Sequence, residues 1–253
     1  MRIIGIVSGK GGVGKTTLVA NLGLSLVNFG KDVTAVDCNV TTSHLGFNFG
    51  IYYYPKTLNN ILKKETEISE ATYFYRGLKI IPASLSIEDL IGLDINKLNS
   101  YITNLTNTEI VLLDSSPGLG KEALSVLKTC DEVLFVTTPY LNAVSDIVRC
   151  NQLIGQLGIK PLGIVLNMVT NKFHELKTSE VEKLTELPVI SKIPFDGNVQ
   201  KSLAAGTPLV LYNPNSPASV EINKLAANMI GEKYYFQGNT FSRFFYFFKN
   251  LLW

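Results

Sequence analysis

Residues 9–16 read Gly9-Lys10-Gly11-Gly12-Val13-Gly14-Lys15-Thr16 and match the pattern G-x-x-x-x-G-K-[ST]. Each residue type there has a chemical task. Glycines let successive backbone N–H groups turn inward around phosphate oxygens. A helix that begins where the loop ends adds its positive N-terminus. The Lys15 ammonium neutralises β- and γ-phosphates, the Thr16 hydroxyl is a Mg²⁺ ligand, and Thr17 reaches the α-phosphate. The same residues in a plain glycine turn would have no reason to sit between an apolar strand and an amphipathic helix, as these do.

Two carboxylates stand where a Mg²⁺ ion beside such a loop would need them. Asp114 ends the apolar run Ile110-Val111-Leu112-Leu113, and Asp37 ends residues 33–37 in the same manner. A carboxylate at the C-terminal tip of a buried strand next to a phosphate loop is a metal-site candidate. Two residues after Asp37 comes Asn39. An amide cannot act as a base at neutral pH. Phosphoryl transfer passes through a loose transition state, however, so positioning dominates, and a glutamine orients water in some GTPases. Asn39 is thus expected to hold the attacking water, with slow hydrolysis. The blander reading is a turn residue after a strand.

Elements must place these groups together. Short apolar runs alternate with helical segments, the pattern of a parallel sheet covered on both faces. Strands are expected at residues 2–8, 33–37, 78–82, 109–114, 132–137, 161–167 and 189–193. Helices are expected at 16–29, 57–63, 95–105, 121–128, 142–157, 178–184 and 219–230. In the first helix Leu18, Leu22, Leu26 and Phe29 share one stripe, and Gly30 follows as a cap. The expected fold class is α/β, a three-layer P-loop NTPase fold with a mostly parallel twisted sheet and helices on both faces. Residues 1–231 form the nucleotide domain and 232–253 a separate tail.

With Lys10 early in the loop, K-G-G-V-G-K-T-T resembles the deviant Walker A motif of the MinD/ParA ATPases. The resemblance runs along the chain. Asp114-Ser115-Ser116-Pro117-Gly118 is similar to the family's D-x-x-P-G, whose later residues sense the γ-phosphate. Asp37-Cys38-Asn39 matches a segment that the family writes D-x-D, with Asn39 in place of the second acid. The resemblance implies ATP and Mg²⁺ as cofactors, with Gly11, Gly12, Val13, Gly14, Lys15, Thr16 and Thr17 around the phosphates. It implies Thr16, Asp37 and Asp114 near Mg²⁺, and Asn167 reading adenine. Ile193-Pro194-Phe195-Asp196 is similar to the I-P-x-D loop that closes over the base, which brings in Pro194 and Asp196. Lys10 would cross to the nucleotide of a second subunit, so Lys10, Lys15 and Asn39 are the expected catalytic set of an ATP-dependent homodimer.

The tail is unlike the body. Residues 239–253 hold five of the thirteen phenylalanines and the only tryptophan. On a helix, Phe241, Phe244, Phe245, Phe248, Leu251 and Leu252 share a face, with Arg243 and Lys249 on the other side. Fifteen residues make a helix of about 22 Å, short of the roughly 30 Å hydrocarbon core, so it is expected to lie in the plane of an anionic membrane surface. The MinD branch is similar here too, ending in a short amphipathic membrane-targeting helix. The rival readings are docking on the protein's own surface and insertion into a partner's groove.

Charge and cysteine counts weigh the remaining classes. Arg243 and Lys249 account for the net charge of +2, leaving residues 1–238 neutral. A neutral body makes a poor nucleic-acid binder, so a DNA-partition role is disfavoured and no nucleic acid is expected. Cys38, Cys130 and Cys150 are scattered, which suits reduced thiols and not an iron–sulfur carrier with paired cysteines. No run of eighteen apolar residues occurs, so no membrane-spanning helix is expected. The expected location is cytoplasmic, peripheral on the inner face of the cell membrane, with a protein activator or cargo. A ParA-like positioning ATPase and a slow or non-hydrolysing ATP-binding scaffold are the alternatives.

Overall fold

The run Arg2–Val7 forms β1, and its side chains divide between two layers. Ile3 and Val7 join one buried cluster while Ile4 and Ile6 join the other. The same alternation recurs in β5 (Ile110–Asp114), where Val111 and Leu113 face one layer and Ile110 and Leu112 the opposite one. Strands apolar on both sides need helices on both sides, and a computed structural model of the chain has that arrangement. The structure describes residues 1–235; the amphipathic segment expected at 239–253 lies outside them.

Besides β1 and β5 the sheet contains β2 (Val33–Asp37), β3 (Tyr73–Tyr75), β4 (Leu78–Ile81), β6 (Glu132–Thr137), β7 (Lys160–Val169) and β8 (Val189–Pro194). Their spatial order is β3-β4-β2-β5-β1-β6-β7-β8. Every pairing is parallel except β3 with β4. On one face lie α1 (Lys15–Asn28), α7 (Gly197–Ala204), α8 (Leu209–Tyr212) and α9 (Pro217–Met229), with α1 packed along α9. On the other lie α2 (Leu58–Leu62), α3 (Leu98–Ile102), α4 (Lys121–Thr129), α5 (Leu141–Leu157) and α6 (Thr178–Thr185). No described helix is long and apolar enough to cross a membrane.

Most expected elements recur within a residue or two. The helix expected at 95–105 divides into a 3₁₀ turn, Ile95–Lys97, and the short α3. One strand, β3, and two α-helices, α7 and α8, were not anticipated. The central strand β1 sits between β5 and β6, so the crevice beyond its C-terminal tip is where an open α/β sheet binds ligands.

Candidate nucleotide site

The glycine loop leaves β1 at that crevice and turns into α1 at Lys15. Gly14 caps the helix with φ +89°, a conformation that side-chain-bearing residues rarely adopt. A Cβ on Gly14 would also lie 2.4 Å from Asn167 Nδ2, so that side chain would have to move. Gly9 is more tightly constrained: a Cβ would fall 2.0 Å from Cβ of Asp146 on α5. The loop is therefore clamped between α5 and the end of β7.

Above it opens a cavity of about 540 Å³, within the range of small-molecule sites. Gly11, Gly12, Gly14, Lys15, Thr16 and Thr17 line one end. Asn167, Met168, Pro194, Phe195 and Asp196 line the other, backed by Val199 and Leu203 of α7 and by Leu209 and Ile222. Asn39, Thr42 and His44 form a third wall, and Pro117 approaches from the β5 loop. The cavity is thus cationic and rich in N–H groups at one end and apolar at the other, which suits a nucleotide.

Under the phosphate end lies Asp114. It is 1% exposed, yet neither carboxylate oxygen accepts a hydrogen bond. Burial and the neighbouring Asp37 raise its pKa to about 7, against the pull of Thr16 and Lys15. Burial in turn lowers the pKa of Lys15, and the charge of Asp114 opposes that shift. A buried carboxylate without a donor is costly, and a divalent cation is the natural relief. These residues fit Mg²⁺, with Thr16 and Asp114 as the groups that would hold it.

Asp37, the second expected carboxylate, is bonded differently. Its backbone lies beside that of Asp114 in register, and it is fully buried. Unlike Asp114, its oxygens are occupied. Oδ1 accepts from the Asn39 N–H at 3.1 Å. Oδ2 accepts from the Ser43 hydroxyl at 2.8 Å and from the N–H groups of His44 and Leu45 at 3.2 and 3.1 Å. Burial raises its pKa, and these four bonds oppose the rise. Asp37 thus anchors the loop over residues 39–45 from the strand tip beside Asp114. Of the two carboxyls, Asp114 is the one built to carry a proton when no cation is present.

Asn39 sits on that anchored loop, with the Thr42 hydroxyl donating to its Oδ1 at 3.0 Å. Asn167 Nδ2 donates to the Val13 carbonyl at 2.8 Å, so this side chain braces the phosphate loop while it lines the base end. The Asp196 carboxylate caps α7, accepting from the Asn198 N–H at 2.9 Å and the Ala218 N–H at 3.3 Å. Burial raises its pKa, but those bonds outweigh it and hold the carboxyl below its usual value. Asp196 therefore contributes wall more than free acceptor. Val13 is buried beneath the loop. Lys10 is exposed and is not among the residues that line the cavity of its own chain. Cavity residues that sequence reasoning missed include His44, Met168, Phe195 and Val199. The I-P-x-D match pointed to the segment of Phe195, but His44 carried no signal.

With this geometry in view, the comparisons agree. A ParA model, described as NUBPL iron-transfer P-loop NTPase, matches residues 1–230. The chain belongs to the MinD/ParA family of P-loop NTPases. An uncharacterised ATP-binding protein of Methanocaldococcus jannaschii is 36% identical over 233 residues, 91% of this chain and 88% of that protein. The crystal structure of the cell division ATPase MinD of Pyrococcus furiosus aligns with a TM-score of 0.87 at 31% identity, covering 91% of this chain and 98% of that one. The septum site-determining protein MinD of Pyrococcus horikoshii, solved with Mg-ADP, aligns with a TM-score of 0.86 at 30% identity, covering 90% and 95%.

Proposed function

We propose that this MinD/ParA-type ATPase, with ATP and Mg²⁺ as cofactors, is a dimerising switch of the MinD kind that works at an anionic membrane surface. The observation that carries the proposal is the unsatisfied Asp114 carboxylate beneath the Lys15–Thr16 end of the cavity. That end is a charge arrangement completed by nucleotide phosphates and their cation.

Lys15 and the loop N–H groups bind and orient the phosphates, and Asn167, Pro194 and Phe195 enclose the base. Bound Mg²⁺ supplies neutralisation of phosphate charge. Asn39, held by Thr42 and by the Asp37-anchored loop, orients the attacking water. Lys10, exposed and outside the lining of its own cavity, acts on the nucleotide of a second copy. Pairing of two ATP-loaded chains brings two 239–253 segments together, and joined anchors gain 10²–10⁴-fold in avidity without a new contact. Loss of the γ-phosphate dissolves the pair and weakens the hold. A protein activator or cargo reads the paired state, on the cytoplasmic face of the cell membrane, to place a division site or another surface structure.

A scaffold that binds ATP and scarcely hydrolyses it is the second reading, favoured by Asn39 in place of an acid. Iron transfer has less support. Cys38, Cys130 and Cys150 are buried, and burial pushes Cys130 to about 12 and Cys150 to about 11, opposite to what a metal thiolate needs.

Co-sedimentation with anionic liposomes tests the switch. The ATP-loaded chain pellets, while the ADP-loaded chain and a chain lacking residues 239–253 stay in the supernatant. Equal pelleting in all three conditions removes the switch.

A further inference from the structure

A second cavity, of about 330 Å³, lies outside the nucleotide site. Pro139, Leu166 and Leu176 give it an apolar floor, and Lys172, Phe173 and Lys177 stand at its rim. The loop over residues 170–177 is firmly built. Glu175 turns its carboxylate back into the loop, accepting from the N–H groups of Thr170 at 3.0 Å and Asn171 at 2.6 Å. The Leu176 N–H donates to the Pro139 carbonyl at 2.8 Å, tying the loop to the start of α5. The acid in the loop is thus spent on its own backbone, and neither Lys172 nor Lys177 forms an ion pair among the described residues.

The rim is also aromatic. The His174 ring stacks on Tyr140 with centroids 6.0 Å apart, and Phe173 meets His174 edge-on at 5.2 Å. Phe173 projects from this stack wholly exposed, and Tyr140 and Leu141 are exposed beside it. Burying one phenylalanine is worth roughly 1.5–3 kcal/mol, so such display next to a cavity marks an interaction surface.

We propose that this cavity is a docking site for an acidic peptide segment of a partner protein, one that inserts an apolar side chain beside Phe173 and sets carboxylates against Lys172 and Lys177. The pairing of unmatched lysines with an apolar floor selects that chemistry. It also excludes the chain's own aromatic tail, which carries Arg243 and Lys249 and no acid within 239–253. The proposal rests on the reading of the chain as a partner-read switch, and the structure supplies a route between the two sites. Leu166 and Val169 of β7 line the peptide cavity, while Asn167 and Met168 between them line the nucleotide cavity. The Val169 carbonyl further accepts from the N–H of Phe195, on the base-side wall, at 2.9 Å. A peptide seated on one side of β7 therefore sits a single residue from the nucleotide wall.

Selection of a random twelve-residue display library on the full chain with ATP and Mg²⁺ tests this. Selected peptides are expected to be net negative with at least one bulky apolar residue. Their affinity should fall about tenfold or more for the Lys172→Glu/Lys177→Glu variant and severalfold for Phe173→Ala. Mg-ATP affinity and basal phosphate release should be unchanged in both variants. Selection without acidic bias, undiminished binding to the charge-reversed variant, or no peptide above background overturns the docking site. So does pelleting of the tail-deleted chain on anionic vesicles that depends on Lys172 and Lys177, which would assign the surface to lipid. Peptide binding with these properties by a chain that never pairs on ATP would instead leave the site standing and sink the switch.

Discussion

Two neighbouring strand tips hold the same residue in the same setting and do different work. Asp37 at the end of β2 and Asp114 at the end of β5 pair in register and are both buried. Asp37 accepts four hydrogen bonds from the loop that follows it, whereas Asp114 accepts none. A carboxylate saturated by donors is a structural post. One that only the Thr16 hydroxyl approaches, short of a well-formed bond, keeps its lone pairs for a cation. Position on the sheet does not decide between these roles; the path of the next few residues does.

The contrast breaks most sharply at Asp114. Asp114→Asn should cut Mg²⁺-dependent phosphate release by about 10²–10³-fold, the scale of losing one electrostatic group from a preorganised site. The same change should stabilise the nucleotide-free protein at neutral pH. The sign follows from the raised pKa of about 7. A carboxyl whose pKa is higher folded than unfolded stabilises the fold at low pH and loses that contribution as pH rises through the folded value. Urea midpoints of nucleotide-free wild-type protein should therefore fall between pH 5 and about 8, and the Asp114→Asn substitution should flatten the fall. A variant that keeps the slope would place the proton elsewhere.

Asp37→Ala should behave in the opposite way. It strips acceptors from one hydroxyl and three N–H groups, so a loss of about 2–3 kcal/mol in folding stability is expected. Thermal unfolding would show it, and an unchanged midpoint would refute the anchor role. A smaller effect belongs to Asn39→Asp, which returns an acid to the loop that Asp37 holds. Phosphate release should rise about tenfold, below the usual gain from a positioned base because the transition state is loose. No gain would favour the scaffold.

Much of this was legible in residue order, for reasons that differ by region. The phosphate loop is local: its glycines, Lys15 and Thr16 are adjacent, and their task follows from backbone geometry alone. The buried strands are nearly as plain, because only a two-faced sheet accepts runs such as Ile110-Val111-Leu112-Leu113. The role of Asp37 was hidden because its donors, Ser43, His44 and Leu45, come back to it only through a loop trajectory that no periodicity encodes. His44 entered the cavity wall by the same route. The helix α7 was missed although Asp196 is its N-cap, with Val199 and Leu203 four apart behind it; the same residues satisfy I-P-x-D, which reads them as a loop over the base. The strand β3 is three residues long, with Tyr73 and Tyr75 half-buried and Phe74 exposed, too short for alternation to register.

That small strand has a consequence of its own. It runs antiparallel to β4 and closes one border of the sheet, while the other border, β8, carries Lys192 and finishes at Pro194. Brevity, lysine and proline are the devices that keep strand edges from zippering onto neighbours. Copies of this chain are thereby steered away from side-by-side fibres.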